Sequence, residues 1–324
     1  MIYEFTKKNI EKAAEIIKTG GLVAFPTETV YGLGADGFNP LAVAKIFEVK
    51  NRPDFNPLIL HVSDSETIEK ITTCRSQKVF DLIEKFMPGP VTLVLPKREI
   101  VPDIVTSGKP SVGVRMPSNE VASEFIKTCG TPIAAPSANM FGMLSPTKAE
   151  HVEKQLGDKI EMILDGGECN VGVESTIIEF ADGKFFVLRY GGLPAEEIET
   201  FLGEKLTLKR NELSPNSPGQ LKSHYAPHVP IYFIDEVDIE KTKSDRAGLL
   251  VFKENRFGDK FRSVKVLSPS GDLREASANL FKFLHEFENE NVEFILAEKV
   301  PEHGLGLAII DRLSKAVNRY KIKS

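Results

Sequence analysis

The residue types able to do chemistry in this chain cluster in short polar stretches at the ends of apolar runs. Folds built from alternating strands and helices place ligands there. The first stretch is Pro26-Thr-Glu-Thr-Val-Tyr-Gly-Leu-Gly-Ala35. Thr27, Glu28, Thr29 and Tyr31 supply hydrogen-bonding groups, and Gly32 and Gly34 allow close backbone approach; the same residues also read as a glycine turn between strand and helix. Lys50 and Arg52 flank Asn51. On extended backbone they would project to opposite sides, but Asn51 and Pro53 permit a turn. Two cations at a pocket mouth suit a polyphosphate, the arginine with a bidentate grip. His61 lies inside the apolar run 58–62, as a core or a site residue. Arg115 ends the run 112–115 and needs an anion, either a ligand carboxylate or a structural Asp or Glu. Ser137, Asn139 and Ser145 add neutral polar groups. Ser145-Pro-Thr147 also reads as a helix start with Ser145 as N-cap, itself an anion site. Glu174-Ser-Thr176 and Arg189-Tyr-Gly-Gly192 open and close a hairpin.

Several common machines are absent. The chain has no G-x-x-x-x-G-K-[ST], no G-x-S-x-G and no H-E-x-x-H. His224 and His228 are four apart, but Pro227 between them opposes a shared helix face, so no metal site is assigned. Cys74, Cys129 and Cys169 form no C-x-x-C pair, which excludes a disulfide framework and a four-cysteine zinc site and fits a reducing compartment.

Elements that would position these groups follow from periodicity. Residues 9–19, 41–49, 65–71, 77–86 and 194–202 read as helices, and 22–25, 58–62, 91–95, 112–115, 132–135 and 162–164 as strands. Asp182-Gly183 between 175–180 and 184–189 is a hairpin signal. The result is an α/β domain over residues 1–202 with a mixed, twisted sheet. Residues 203–230 are Pro- and Ser-rich and read as an extended, semi-rigid linker. Strand-like 231–234, 249–252, 264–267 and 294–297 then alternate with helical 273–287 and 307–317, giving a small second α/β domain over 231–324.

With 41% hydrophobic and 27% charged residues the composition is that of a globular chain, and its 324 residues suit two domains. A net charge of −5 opposes a chain-wide surface for gripping nucleic acid. No apolar run approaches the ~20 residues that cross a bilayer, and no signal-peptide pattern opens the chain, so a cytoplasmic location is expected.

Taken in order, the stretches at 26–34, Lys50-x-Arg52, Leu60-His-Val62, Met87-Pro-Gly-Pro-Val-Thr92, Val114-Arg-Met-Pro117, Pro136-Ser-Ala-Asn139, Ser145-Pro-Thr147, Asp165-Gly-Gly167, Glu174-Ser-Thr176 and Arg189-x-Gly191 resemble the L-threonylcarbamoyladenylate synthase family. Residues 217–227 also look like the linker of its long, two-domain form. The resemblance implies a YrdC-like catalytic domain followed by a small Rossmann-like domain. It implies that L-threonine, bicarbonate and ATP give threonylcarbamoyl-AMP and pyrophosphate. Other proteins would use that product to modify tRNA beside the anticodon. It further implies that Lys50, Arg52, Ser137 and Asn139 form the catalytic set. ATP would meet Arg52, Asn56, Ser111, Ser137, Ser145, Arg189 and Tyr225, and L-threonine would meet Thr29, His61, Arg115, Ala135 and Ser175. Mg²⁺ is expected with the ATP, and neither a membrane nor a stable nucleic-acid partner. Two rival readings stand beside it. A hydrogenase-maturation carbamoyltransferase needs a cysteine-rich zinc module that three scattered cysteines cannot supply. A non-catalytic RNA-binding module would bind with strong salt dependence and turn over no ATP.

Overall fold

The periodicities resolve into helices and strands in the computed structural model, which describes residues 1–209, 217–219, 221–239 and 243–321. In chain order come β1 (Ile2–Glu4), α1 (Lys7–Lys18), β2 (Val23–Phe25), β3 (Gly32–Asp36), α2 (Pro40–Lys50), β4 (Ile59–His61), α3 (Ser65–Ile71), α4 (Gln77–Phe86) and β5 (Val91–Pro96). Next are α5 (Asp103–Thr106), β6 (Ser111–Arg115), α6 (Glu120–Cys129), β7 (Ile133–Ala135), α7 (Ala149–Leu156) and β8 (Met162–Asp165). The hairpin β9 (Thr176–Ala181) and β10 (Lys184–Arg189) leads to α8 (Ala195–Leu202) and β11 (Thr207–Leu208). The rest is β12 (Ile231–Phe233), β13 (Ala247–Val251), β14 (Ser263–Val266), α9 (Leu273–Asn289), β15 (Phe294–Ala297) and α10 (Leu305–Lys321).

Among the described residues the strands form two sheets. The larger runs β1-β8-β2-β3-β7-β4-β6-β5-β9-β10-β11 and mixes parallel with antiparallel pairs. The smaller, β12-β15-β13-β14, is wholly parallel and carries α9 and α10. The expected mixed sheet followed by a small parallel α/β unit is therefore what the chain forms. Side-chain caps fix several helix starts: Asn39 Oδ1 accepts from the amides of Leu41 and Ala42, and Asn119 Oδ1 from Ala122. One face of the large sheet is closed by α1 and α6, whose Ile10, Ile17, Phe125 and Ile126 pack with Phe25 and Leu164. Each such side chain stabilises the fold by about 1.5–3 kcal/mol.

Departures from the expected elements bear on the site. The stretch after β2 is not a turn into a helix. It loops back as β3, antiparallel to β2. Gly34 sits inside this strand because a Cβ there would lie 2.7 Å from Ile133 and 3.0 Å from the Phe25 ring; the missing side chain makes room for packing. Ser145 is not an N-cap, since α7 starts four residues later behind Lys148. β11, inside the expected linker, pairs with β10 and extends the large sheet past residue 202. Residues 210–216 and 220 of that linker, and 240–242 and 322–324 of the second unit, lie outside the described residues. The small unit's apolar core includes Leu280, Phe281 and Leu313 and continues into Val30, Leu144 and Val173 of the large unit. The two units thus share one apolar core.

Candidate active site

Strands β4 and β6 run parallel with His61 opposite Arg115. Residues in register on neighbouring strands point to the same face, so both side chains turn to one side of the sheet. Arg115 Nη2 donates to Thr29 Oγ1 at 2.9 Å and lies 2.9 Å from Glu28 Oε1. The anion that Arg115 requires is, in this state, the structural Glu28. The ion contact lacks hydrogen-bond alignment, and both Glu28 oxygens and Arg115 Nε are buried without a hydrogen-bond partner. Thr29 is steadied by Thr27 at 2.8 Å. His61 is buried, its Nδ1 3.3 Å from the Ile59 carbonyl. Burial, helped by the Arg115 cation, pushes its pKa down to about 3, so the imidazole is neutral at physiological pH. Ala135 ends β7 opposite Ile59, and Ser175 Oγ is 2.7 Å from Thr92 Oγ1.

The turn anticipated between Lys50 and Arg52 is present. Asn51 closes α2 in the left-handed region, at φ 50°. The two cations nevertheless do different work. Lys50 Nζ donates to the carbonyls of Ser137 and Asn139, at 2.7 Å for Ser137. It braces the polar turn after β7. Arg52 donates to the carbonyls of Asn56 (3.1 Å) and Pro57 (2.9 Å). Burial brings its guanidinium down to about 9, with the Arg189 cation adding to the shift. Ser137 is bridged to Gly32, which knits the 26–34 stretch to the 136–139 stretch. Asn139 Nδ2 donates to the Met140 and Met143 carbonyls.

A third cluster centres on Glu174. Ser145 Oγ donates to Glu174 Oε1 at 2.5 Å, and Arg312 Nε, from α10, donates to Oε2 at 2.8 Å. These partners outweigh burial and hold the Glu174 carboxyl down at about 2, with Arg312 the largest and Arg189 the next largest contributor. Arg189 donates to the Ser175 carbonyl and hydroxyl at 2.9 and 3.2 Å. Tyr225 is 2% exposed and has a φ of 61°, an uncommon conformation for a bulky residue. Gly219 faces it, and a Cβ there would meet the Tyr225 hydroxyl at 2.5 Å.

Of the fourteen residues expected in the site, Arg52, His61, Arg115, Ala135, Ser137, Ser175, Arg189 and Tyr225 line one cavity of about 50 Å³. Thr29, Asn56, Lys50, Asn139 and Ser145 stand behind it, each bonded to a lining residue or to its immediate support. Ser111 stands apart. It begins β6, about 13 Å from Arg115 at the usual rise per residue. Sequence reasoning named Glu28 only as a hydrogen-bonding group and Glu174 only at the hairpin opening, and gave Arg312 no role. The first two sit inside quoted motifs. Arg312 left one signal, a charge on the apolar stripe Leu305, Ala308, Ile309, Leu313, Ala316 of its helix.

Comparison with known proteins places this arrangement. The family described as telomere recombination matches residues 15–191. The one described as threonylcarbamoyl-AMP synthase, C-terminal domain, matches residues 193–317. The threonylcarbamoyl-AMP synthase of Pyrococcus abyssi is 42% identical over 95% of this chain and 93% of its own length. That of Bacillus subtilis is 40% identical over 95% and 92%. The crystal structure of P. abyssi Sua5 complexed with L-threonine superposes with a TM-score of 0.90 at 40% identity, covering 98% of this chain and 97% of that one. On likeness running through both sheets and nearly end to end, the chain belongs to the threonylcarbamoyl-AMP synthase family, ATP-using enzymes of the nucleotidyltransferase type.

Proposed function

We propose that the protein joins L-threonine, bicarbonate and ATP into threonylcarbamoyl-AMP, releasing pyrophosphate and water. The observation that carries this reading is the convergence of three buried guanidinium groups, Arg52, Arg115 and Arg189, on one cavity. Buried cations of this density call for anionic ligands. A carboxylate and a triphosphate supply them.

Arg115 takes the threonine carboxylate on its free Nε edge, with Thr29, neutral His61, Ala135 and Ser175 around the rest of the amino acid. The deprotonated threonine amine adds to carbon dioxide derived from bicarbonate and forms a carbamate. A carbamate oxygen then attacks the α-phosphate, and the bond to the leaving pyrophosphate breaks. No enzyme nucleophile is needed; alignment of two reactants and cationic charge on the phosphates supply the rate. Arg52 and Arg189 serve the phosphates, with Ser137, Ser145, Asn56 and Tyr225 around the nucleotide. Ser111 takes part only with an extended nucleotide reaching the start of β6. Lys50 and Asn139 act by fixing the Ser137 turn. Among the described residues no group of three His, Cys, Asp or Glu side chains could cage a metal, so Mg²⁺ would ride on the phosphate oxygens of ATP.

The present cavity has room for a few waters, not a nucleotide. ATP entry therefore requires the segment carrying Pro218, Gly219, His224 and Tyr225 to lift, and its return excludes water from the labile carbamate. The division into a catalytic unit (1–202), a closing linker (203–230) and a second unit (231–324) belongs to the same proposal. So does transfer of the product to a tRNA-modifying protein in the cytoplasm; three unpaired cysteines suit that compartment. Incubation with all three substrates should give pyrophosphate and the mass of threonylcarbamoyl-AMP. Equal pyrophosphate release with threonine or bicarbonate omitted would overturn the reading.

A further inference from the structure

We propose that Arg312, on α10 of the small unit, is a positioning residue for ATP: it holds Glu174 and the Tyr225 ring where Ser145 and Tyr225 can meet the nucleotide. This rests on the function proposed above and gives the second unit a direct share in it.

Arg312 is 1% exposed, although its helix neighbours on the buried face are apolar. Packing of α10 alone gives no reason for a guanidinium there, and an unpaired one would be strongly unfavourable. Besides Asp311 on the same helix, its partners Glu174 and Tyr225 lie elsewhere in the chain. Nε donates to Glu174 Oε2 at 2.8 Å across 138 residues, and the other Glu174 oxygen accepts from Ser145. Glu174 is therefore clamped from two sides, and the Ser145 hydroxyl is aimed by a carboxylate that Arg312 holds. The guanidinium also lies over the Tyr225 ring, 4.9 Å from its centroid, a cation–π arrangement. Asp311 Oδ2 accepts from Arg312 Nη1 at 2.8 Å and from Lys315 Nζ at 2.5 Å, and Lys315 Nζ also donates to the Gly219 carbonyl at 2.6 Å. One helix turn thus grips the strand entrance at 174, the ring of Tyr225 and the backbone beneath it. Arg312 does not line the cavity, so it acts through these groups.

The contacts divide unequally between the two substrates. Ser145 and Tyr225 belong to the nucleotide side, whereas among the described residues Thr29, His61 and Arg115 make no hydrogen bond or ion pair with α10. Arg312→Ala should raise the KM for ATP and weaken ATP binding by calorimetry about tenfold or more, the worth of one charge-assisted hydrogen bond. The threonine KM should hold. Guanidinium chloride below denaturing concentrations, against equal sodium chloride, should restore ATP affinity to this variant, and Arg312→Lys should fall between wild type and alanine. If Arg312→Ala fails to fold, Arg312→Met, which keeps the packing of the stem, carries the same expectation. Unchanged ATP affinity in the soluble variant would overturn the proposal. So would parallel loss of ATP and threonine affinity without guanidinium rescue, which marks a merely structural residue. Wild-type protein lacking threonine- and bicarbonate-dependent pyrophosphate release would instead count against the reaction, while ATP calorimetry would still judge Arg312.

Discussion

Replacing Arg115 separates two roles that one side chain combines. The Arg115 and Glu28 side chains are 5% and 6% exposed and meet at 2.9 Å. Arg115→Ala leaves Glu28 as a buried carboxylate without its cation, and stranding one member of such a pair costs about 3–5 kcal/mol. Arg115→Ala/Glu28→Ala removes both charges. What remains lost is packing and the bond to Thr29, on the order of 1–2 kcal/mol. The double variant should therefore be more stable than the single one. On the role proposed for Arg115, threonine affinity behaves differently, because its carboxylate loses the guanidinium in both. A charge-assisted bond is worth about 1.5–3 kcal/mol, so both variants should bind threonine roughly ten- to a hundredfold more weakly while ATP binding stays unchanged. Urea unfolding measures the first quantity and calorimetry with each substrate the second. A double variant no more stable than Arg115→Ala would refute the charge argument. ATP affinity falling with threonine affinity would refute the partition of the cavity.

Three further outcomes are expected. Glu174, held at about 2 in the folded chain, should add stability on the order of 3 kcal/mol that is complete above pH 4.5 and lost as pH falls through about 2; unfolding from pH 5 to 2 should show this loss in wild type and not in Glu174→Gln. Lys50→Met should lower stability by about 2–4 kcal/mol, because the Ser137 and Asn139 carbonyls lose their donor; denaturant melts within experimental error of wild type would remove the bracing role. Gly219→Ala forces a methyl group onto the Tyr225 hydroxyl and onto backbone at φ +83°, so ATP should bind more weakly in calorimetry with threonine binding kept. Equal ATP affinity would show that Tyr225 can be displaced without consequence.

Much of the scaffold was legible because local signals agreed with the tertiary outcome. The helices 65–71 and 77–86 and the hairpin about Asp182-Gly183 come out where periodicity and turn chemistry put them. The stretch 26–35 did not, since two glycines speak against a strand; only the Phe25 ring and Ile133, remote from local pattern, explain why β3 needs them. Helix α6 carried an Asn119 cap and a Gly130 stop that could have revealed it. At the site, residue types and order picked out stretches that the fold brings to one cavity. They could not separate Lys50 from Arg52, because which cation lines the cavity and which stands behind it depends on the left-handed turn at Asn51. Pairings such as Arg115 with Glu28 and Arg312 with Glu174 span 87 and 138 residues and leave no trace in spacing.

The clasp between α10 and the entrance to β9 also sets an order in time. Synthesis at about 5–20 residues per second puts roughly 7–28 s between the appearance of Glu174 and that of Arg312. Within that interval the growing chain completes the residues of the large sheet at β11, while Val30, Leu144 and Val173 lack their cover and Glu174 lacks its cation. A nascent chain in this state has Glu174 and Ser145 without the guanidinium that clamps the carboxylate from its other side. On the role proposed for Arg312, the nucleotide side of the cavity takes its final form only when residues 305–321 fold back onto a surface made well before them.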